Sequence, residues 1–213
     1  MMYVPEQFKE SDSEAIAALI KKHSFGMLVT LSAGTPFVTH LPFLFERSNG
    51  SQGKLFGHLA RANPQWRHFI AGEKVLAVFQ GPHAYISPSW FSAPGVPTWN
   101  YAVVHLRGVP RLIENESELE ALVEQLTHAH ESHRSNPWQI ALTGEQRSRL
   151  LRMIVGFEIE ITEIEAKFKL SQNRSVEDQQ QIMQALSLSA YQSDIDVSQL
   201  MSEKFSNHGS SRE

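Results

Sequence analysis

The sequence predicts an α+β protein in which an antiparallel β-barrel carries peripheral helices. Two observations lead to this fold class. Short strand-like segments follow one another closely before residue 114, and helical segments with one late strand follow it. A parallel α/β fold would need a helix between consecutive strands, whereas most of the early strands are joined by short turns.

The first half of the chain opens with a helix and continues as strands. Asp12 is placed to cap a helix whose apolar residues recur at helical spacing. Ala33-Gly34 predicts a turn after the first strand, and Pro42 interrupts the strand that returns. Gly81-Pro82 predicts a bend between two later strands, and Asn63-Pro64 predicts the start of a short helix through Ile70. The predicted strands cover 26–31, 36–45, 54–59, 74–81, 83–87 and 99–113, the last with a break near Gly108.

The second half is mainly helical. Asn115 and Glu118 form a capping box for a helix to about His133, and a further helical stretch covers roughly 145–152. Alternation of apolar and polar residues predicts a strand over 155–170, and Ser175 caps another helix. We expect one domain over residues 1–190 and a tail over 191–213, of which the last ten residues are predicted to be disordered.

Composition limits the possible functions. The 213 residues carry a formal net charge of −4, which argues against binding nucleic acid by bulk electrostatics. The sequence has no cysteine, which excludes disulfides, thiolate metal sites and thiol catalysis. Its first residues lack the apolar run of a signal peptide, so the expected location is the cytoplasm.

The segment GHLARANPQWR (57–67) is the first candidate binding site. It follows a strand and opens a helix, so Arg61 lies in the connecting turn and the amides after Asn63 lie at a helix N-terminus. Guanidinium, fixed amide donors and the helix dipole all favour a phosphate. A plain helix cap with solvated arginines is the alternative.

Two further segments have polar residues in places that suit a ligand. VTHLPFLF (38–45) places Thr39 and His40 in the middle of an apolar strand, where they either form structural hydrogen bonds or edge a ligand pocket. AKFKLSQNR (166–174) ends a strand with lysines on one side, which fits either an anion site or an ordinary turn.

Metal and nucleophile chemistry have little support. His130 and His133 in THAHESH are helical neighbours, but His128 points elsewhere and no spaced third ligand follows, so a solvated helix end is the favoured interpretation. The sequence contains no G-x-S-x-G elbow and no helix-turn-helix pattern. We therefore predict no metal site and leave catalytic residues unassigned.

These segments together resemble the PaiB-like family, described as FMN-binding negative transcriptional regulators. The resemblance is carried by MYVPEQF (2–8), THLPF (39–43), GHLARANPQWR (57–67), VLAVFQGPHAYISPSWF (75–91), VPTWNYAVVHLRG (96–108) and KFKLSQNR (167–174). The ordered occurrence of ARANPQW, FQGPHAYISPSW and PTWNY is highly specific, and the matching positions span residues 2 to 174.

The resemblance implies an FMN-binding split barrel, similar to pyridoxamine-phosphate oxidases and flavin reductases, that works as a homodimer with flavin at the subunit interface. It implies a phosphate near His58, Arg61 and Asn63, and a flavin ring along Thr39, His40 and Leu41. It further implies that Trp99, Asn100 and the segment with Lys169, Ser171 and Gln172 close the pocket. The aromatic stretch 79–101 is then expected to form a dimer contact and a wall of the pocket.

Three functions follow from this resemblance. The first is a flavin-binding regulator of transcription, for which direct DNA contact has no support from the charge. The second is an FMN-dependent oxidoreductase or flavin reductase acting on a small molecule. The third is a split-barrel protein without the cofactor.

Overall fold

The computed structural model describes residues 1–47 and 52–209. Its strands are β1 (Phe25–Ser32), β2 (Thr35–Pro42), β3 (Leu44–Glu46), β4 (Lys54–Ala60), β5 (Val75–Ile86), β6 (Thr98–Ile113) and β7 (Ile154–Lys169). Its α-helices are α1 (Ser13–Lys22), α2 (Glu116–Glu131), α3 (Gly144–Leu151), α4 (Val176–Ser187) and α5 (Gln192–Gly209), and Pro64–Ala71 form a 3-10 helix.

The seven strands form one sheet in the order β2-β1-β5-β6-β7-β4-β3. The pairs β1–β2, β1–β5, β3–β4 and β4–β7 are antiparallel, which confirms the predicted α+β class. The β1–β2 hairpin turns at Ala33 and Gly34, both with positive φ, as the sequence predicts. Strand β2 is an edge of the sheet, and its residue His40 lies opposite Met27 of β1.

Proline and glycine interrupt the strands less than predicted. Gly81-Pro82 lies inside the continuous strand β5, beyond the residues Leu76–Val78 that pair with β1, so the proline removes no hydrogen bond from that ladder. Gly108 does not break β6 either. A Cβ there would lie 2.2 Å from the carbonyl oxygen of Glu160, so the glycine permits close approach of the backbone. Pro42, in contrast, ends β2.

The chain divides into two compact units. The first comprises Met1–Ile16, Gln80–Val104 and the chain from Glu165 onward. The second comprises Ala17–Phe79 and His105–Ile164.

The second unit has an aromatic core. The ring of Phe43 lies edge-on to Phe79 at 5.3 Å and to Phe157 at 6.2 Å, and Phe69 contacts Phe157 at 5.3 Å. Gly57 of β4 lies against this cluster, and a Cβ at this position would be 2.8 Å from Phe157. The core therefore requires a glycine at the centre of β4.

Helices α2 and α3 build a separate apolar cluster in the same unit. The Asn115 side chain accepts hydrogen bonds from the amides of Ser117 and Glu118, which confirms the predicted helix cap. Arg147 of α3 forms ion pairs with two carboxylates of α2. The buried members of the cluster are Ile113, Leu119, Leu122, Leu126 and Leu151.

The first unit has its own core, to which the C-terminal helix contributes. Helices α4 and α5 pack together, and Ile182, Leu186, Val197 and Met201 are fully buried. Lys204 forms an ion pair with the buried Glu10. Residues 191–209, predicted as part of a tail, thus include a helix with buried side chains, while residues 210–213 lie outside the described chain.

Candidate functional site

Asn63 joins two of the segments that the sequence singles out. Its side-chain oxygen accepts a hydrogen bond from the Gln65 amide at 3.0 Å and thereby caps the 3-10 helix. Its side-chain nitrogen donates to Thr39 Oγ1 of β2 at 2.9 Å. The predicted cap is confirmed, and the two predicted site residues Thr39 and Asn63 are in direct contact. The turn after β4 is therefore fixed to the edge strand β2.

Gln65 extends this network into the interior, and sequence analysis missed it. The side chain is fully buried, and its Nε2 lies 3.0 to 3.1 Å from Leu28 O, Thr30 Oγ1 and Phe37 O. Within the described chain its Oε1 has no hydrogen-bond partner. The sequence gives little warning of this, because Gln65 follows the Asn63 cap and Pro64 at a helix start, where a glutamine side chain is usually solvated.

His40 and Leu41 face opposite sides of β2, because side chains alternate along a strand. His40 is exposed, and its ring stacks on the exposed Phe25 with centroids 6.4 Å apart. Leu41 is buried in the core. The side chains of His40 and Phe25 are thus accessible from solvent, and that of Leu41 is not.

Arg61 is held by the backbone. Its Nε donates to the carbonyl oxygen of Arg152 at 2.7 Å, and its Nη2 donates to that of Ile154 at 2.8 Å. The indole of Trp66 donates to the Arg61 carbonyl at 3.1 Å. The guanidinium therefore has a defined position beside the start of β7, although it is exposed.

His58 has different neighbours from Arg61 and Asn63. It pairs with Gly156 across β4 and β7, and a Cβ on Gly156 would meet Leu119 and Ile113. Directly opposed residues share a face of the sheet, so His58 is on the side covered by α2. Its Nδ1 is buried with no hydrogen-bond partner in the described chain. Burial lowers the pKa of the His58 imidazole below its ordinary value.

In the first unit, Asn100 and Ser171 form a buried pair. Ser171 Oγ donates to Asn100 Oδ1 at 3.0 Å, and Asn100 Nδ2 lies 3.5 Å from the sulfur of Met201. Asn100 has no exposed surface, and Ser171 has a φ of 65°, which is uncommon for a non-glycine residue. Both predicted site residues have their side chains committed to the interior.

Lys169 is also positioned by hydrogen bonds within the first unit. Its Nζ donates to Thr98 Oγ1 and to the Trp99 carbonyl, both at 2.6 Å. Burial, followed by the positive charges of Lys167 and Arg174, lowers the pKa of the Lys169 ammonium. The lysine therefore fixes the backbone at the start of β6.

Gln172 lies in the turn that follows Lys169 and the end of β7. The side-chain oxygen of Gln172 accepts a hydrogen bond from the Leu170 amide at 2.7 Å, so this residue shapes the turn after β7.

Part of the aromatic stretch 79–101 forms an exposed cluster, whereas Phe79 is buried in the core of the second unit. Trp99 has 52% of its surface exposed and Tyr85 has 47%. Their rings meet edge-on at 6.0 Å, and His83 lies 6.1 Å from Trp99. Among the predicted site residues of this unit, Trp99 has the most exposed side chain.

In residues 1–47 and 52–209 no three His, Cys, Asp or Glu side chains are grouped so that they could hold a metal ion. None of the helices there has the length and apolar character that crossing a membrane requires.

Comparison with known proteins gives a family and close relatives. Residues 2–163 match the family model described as "Putative FMN-binding domain". The chain is 40% identical to "Protease synthase and sporulation protein PAI 2" of Bacillus subtilis, over 95% of this chain and 98% of that protein. It is 32% identical to an uncharacterized protein of Emericella nidulans, over 80% of this chain and 84% of the other.

Solved structures share the fold at low identity. One is a flavocytochrome from Azotobacter vinelandii, with a TM-score of 0.60, 15% identity and coverage of 78% of this chain and 72% of that chain. Another is described as "a putative 5-nitroimidazole antibiotic resistance protein" of Bacteroides thetaiotaomicron, with a TM-score of 0.59, 13% identity and coverage of 75% of this chain and 85% of that chain. The fold is therefore that of the flavin-binding split barrels.

Proposed function

Because the chain belongs to the PaiB-like family of FMN-binding domains, whose cofactor is FMN, we propose that it is a flavin-dependent regulator of transcription. The observation that carries the flavin site is the hydrogen bond between Asn63 and Thr39. It holds together the two segments, THLPF and ARANPQW, that we assign to the ring and the phosphate. Bound FMN supplies redox chemistry through its isoalloxazine ring.

The phosphate is assigned to the turn that contains Arg61 and Asn63. A guanidinium has five N–H groups, and the two carbonyl bonds of Arg61 use two of them. The others can donate to a phosphate from a guanidinium that is already oriented. His58 is the weakest member of this set, because its ring lies on the face covered by α2.

The ring is assigned to β2. The exposed His40 offers a donor or acceptor beside the apolar surface of Phe25. The Thr39 side chain lies on the opposite face of the strand, where it holds β2 to Asn63. A flavin ring needs polar partners at one edge and an apolar surface beside it, and this part of β2 supplies both. Leu41 can contribute through its backbone, since its side chain is in the core.

Five of the residues that we assign to the flavin site belong to the first unit, namely Trp99, Asn100, Lys169, Ser171 and Gln172. Trp99 is the contact residue, because its ring is exposed. The hydrogen bonds of the other four fix the backbone on either side of Trp99 and after β7. We propose that a second copy of the chain completes the site in a homodimer. Exposed apolar residues on β1 and β2 support this, namely Phe25, Leu31 and Val38.

An FMN-dependent oxidoreductase or flavin reductase is the second candidate. Lys169 favours it, because burial lowers the pKa of its ammonium in the segment assigned to the flavin. Groups with shifted pKa values occur often where protons are transferred. The regulatory role rests on the resemblance to the PaiB-like family; the Bacillus subtilis relative is named for protease synthesis and sporulation.

An absorbance spectrum of the purified chain, followed by titration with FMN, tests the cofactor. We expect saturable binding and a rise in melting temperature with FMN. A colourless protein whose melting temperature does not change with FMN contradicts both functions.

Two assays then separate the candidates. A regulator that contacts DNA should bind promoter DNA more tightly than random DNA at one stated salt concentration. An oxidoreductase should oxidise NAD(P)H with FMN present, and the Lys169→Met variant should slow this reaction. Equal affinity for both DNAs excludes direct repression.

A further inference from the structure

The second unit contains a cavity that sequence analysis did not find. It lies between the start of α2, the end of α3 and the strands β6 and β7, and its volume is about 300 Å³. This is at the small end of the range for small-molecule sites, roughly 300 to 1,000 Å³. The cavity is therefore large enough for a small metabolite only.

The floor of the cavity is apolar. It is formed by Ile113, Leu119 and Leu151 of the α2–α3 cluster, together with Leu112 and Val155. The indole of Trp66 lies at the side, held by its hydrogen bond to the Arg61 carbonyl. An aliphatic group seated there would leave water for a surface of branched side chains.

Charges of both signs line the same cavity. Glu114 and Glu116 flank the cap of α2, and Arg152 follows α3. Within the described chain, no ion pair or side-chain hydrogen bond is formed by these three side chains. Neighbouring charges behave differently: Arg147 pairs with Glu120 and Glu124, and Arg111 pairs with Glu158. The cavity is thus lined by one cation, Arg152, and two carboxylates, Glu114 and Glu116, that form no ion pair with one another.

Arg61 also lines the cavity, but its guanidinium is held in place by the backbone, unlike that of Arg152. Its Nε and Nη2 donate to the carbonyl oxygens of Arg152 and Ile154. It fixes the backbone from which the Arg152 side chain projects. Arg152 is therefore the cation whose side chain can turn to a ligand.

We propose that this cavity binds an α-amino acid with an aliphatic side chain. The carboxylate pairs with Arg152, the ammonium pairs with Glu116 or Glu114, and the side chain rests on the apolar floor. A simple anion would face two carboxylates and a simple cation would face Arg152, so a zwitterion fits the charges better than either. The proposal goes beyond the flavin function and does not depend on FMN being bound.

Ligand-observed NMR with L-leucine and the full-length chain tests the proposal. We expect saturable binding that is weakened at least about tenfold when the carboxylate or the ammonium is blocked, as in leucinamide and N-acetyl-leucine, because a charge-assisted hydrogen bond is lost. Arg152→Gln and Glu116→Gln should weaken L-leucine binding by a similar factor. The matched controls Arg149→Gln and Glu145→Gln, on exposed residues of α3, should bind as the parent does.

The proposal is overturned if the parent chain shows no saturable binding of L-leucine, or if Arg152→Gln binds it unchanged. It is also overturned if FMN displaces L-leucine and Arg152→Gln loses FMN affinity, since the cavity would then hold the flavin phosphate. Circular dichroism of each variant shows whether it is folded. Failure of FMN to bind, with leucine bound normally, would contradict the flavin function alone.

Discussion

Asn63 donates a hydrogen bond of 2.9 Å to Thr39, 24 positions earlier in the chain. The same amide caps the 3-10 helix through its oxygen. One side chain thus connects the turn after β4, the helix that follows it and the edge strand β2. The first prediction concerns this connection.

Thr39→Val removes the acceptor of the Asn63 bond and keeps the shape of the side chain. We expect a loss of about 1 to 2 kcal/mol in the free energy of unfolding, because the Asn63 amide loses a partner in a half-buried position. Asn63→Ala should cost more, since the helix cap is lost as well. Urea unfolding measures both. Equal stability of Thr39→Val and the parent would mean that the bond contributes nothing.

Arg61→Ala should weaken FMN binding at least about tenfold, because a charge-assisted bond to phosphate is lost. It should also lower the free energy of unfolding by about 1 kcal/mol, since two bonds to exposed backbone carbonyls disappear. FMN titration and urea unfolding give the two values. Arg67→Ala, at a nearby exposed arginine that contacts Trp66, is the control. Unchanged FMN affinity in Arg61→Ala would place the phosphate elsewhere.

The half-buried His58 makes stability depend on pH. Its pKa in the folded chain lies below the unfolded value of about 6.5, so the unfolded state binds more protons between the two values. The free energy of unfolding should therefore be fully maintained above pH about 6.5. It should fall as the pH decreases from there towards the folded pKa.

Urea unfolding at several pH values checks the His58 effect. His58→Gln should flatten the dependence in this window, whereas His128→Gln, at an exposed position on α2, should leave it as in the parent. A slope that is the same in His58→Gln and the parent would show that another group titrates.

Met201→Ala should destabilise the chain by about 2 to 5 kcal/mol, the usual cost of truncating a fully buried methionine. The change also removes the sulfur that lies 3.5 Å from Asn100 Nδ2. Thermal unfolding measures the loss. Met153→Ala, at a methionine that is 62% exposed, is the control and should change stability little. Similar melting temperatures for the two variants would mean that α5 contributes little to the first unit.

Local features were predictable from the sequence. The caps at Asn63, Asn115 and Ser175 are confirmed, because capping depends on residues two or three positions apart. The hairpin turn at Ala33-Gly34 is confirmed for the same reason. The bend at Gly81-Pro82 was not found, since the cost of a proline in a strand depends on which neighbour the strand pairs with at that point.

The site was predictable only in part. Sequence motifs identified Thr39 and Asn63 as candidate site residues. They did not predict the contact between them, because it depends on the packing of β2 against the turn. Trp99 and Asn100 are adjacent, yet alternation along β6 exposes one and buries the other. Gln65 was missed because its burial is decided by backbone carbonyls far away in the sequence.

The three bonds of the Gln65 amide also bear on the order of folding. Its partners Leu28, Thr30 and Phe37 belong to one hairpin, which local contacts can form early. The amide joins them only when the chain has closed a loop of about 30 residues, a slower step. Interactions that form after the transition state mainly set the rate of unfolding. We therefore expect Gln65→Ala to raise the rate of unfolding more than it lowers the rate of folding, as measured by stopped-flow kinetics in urea.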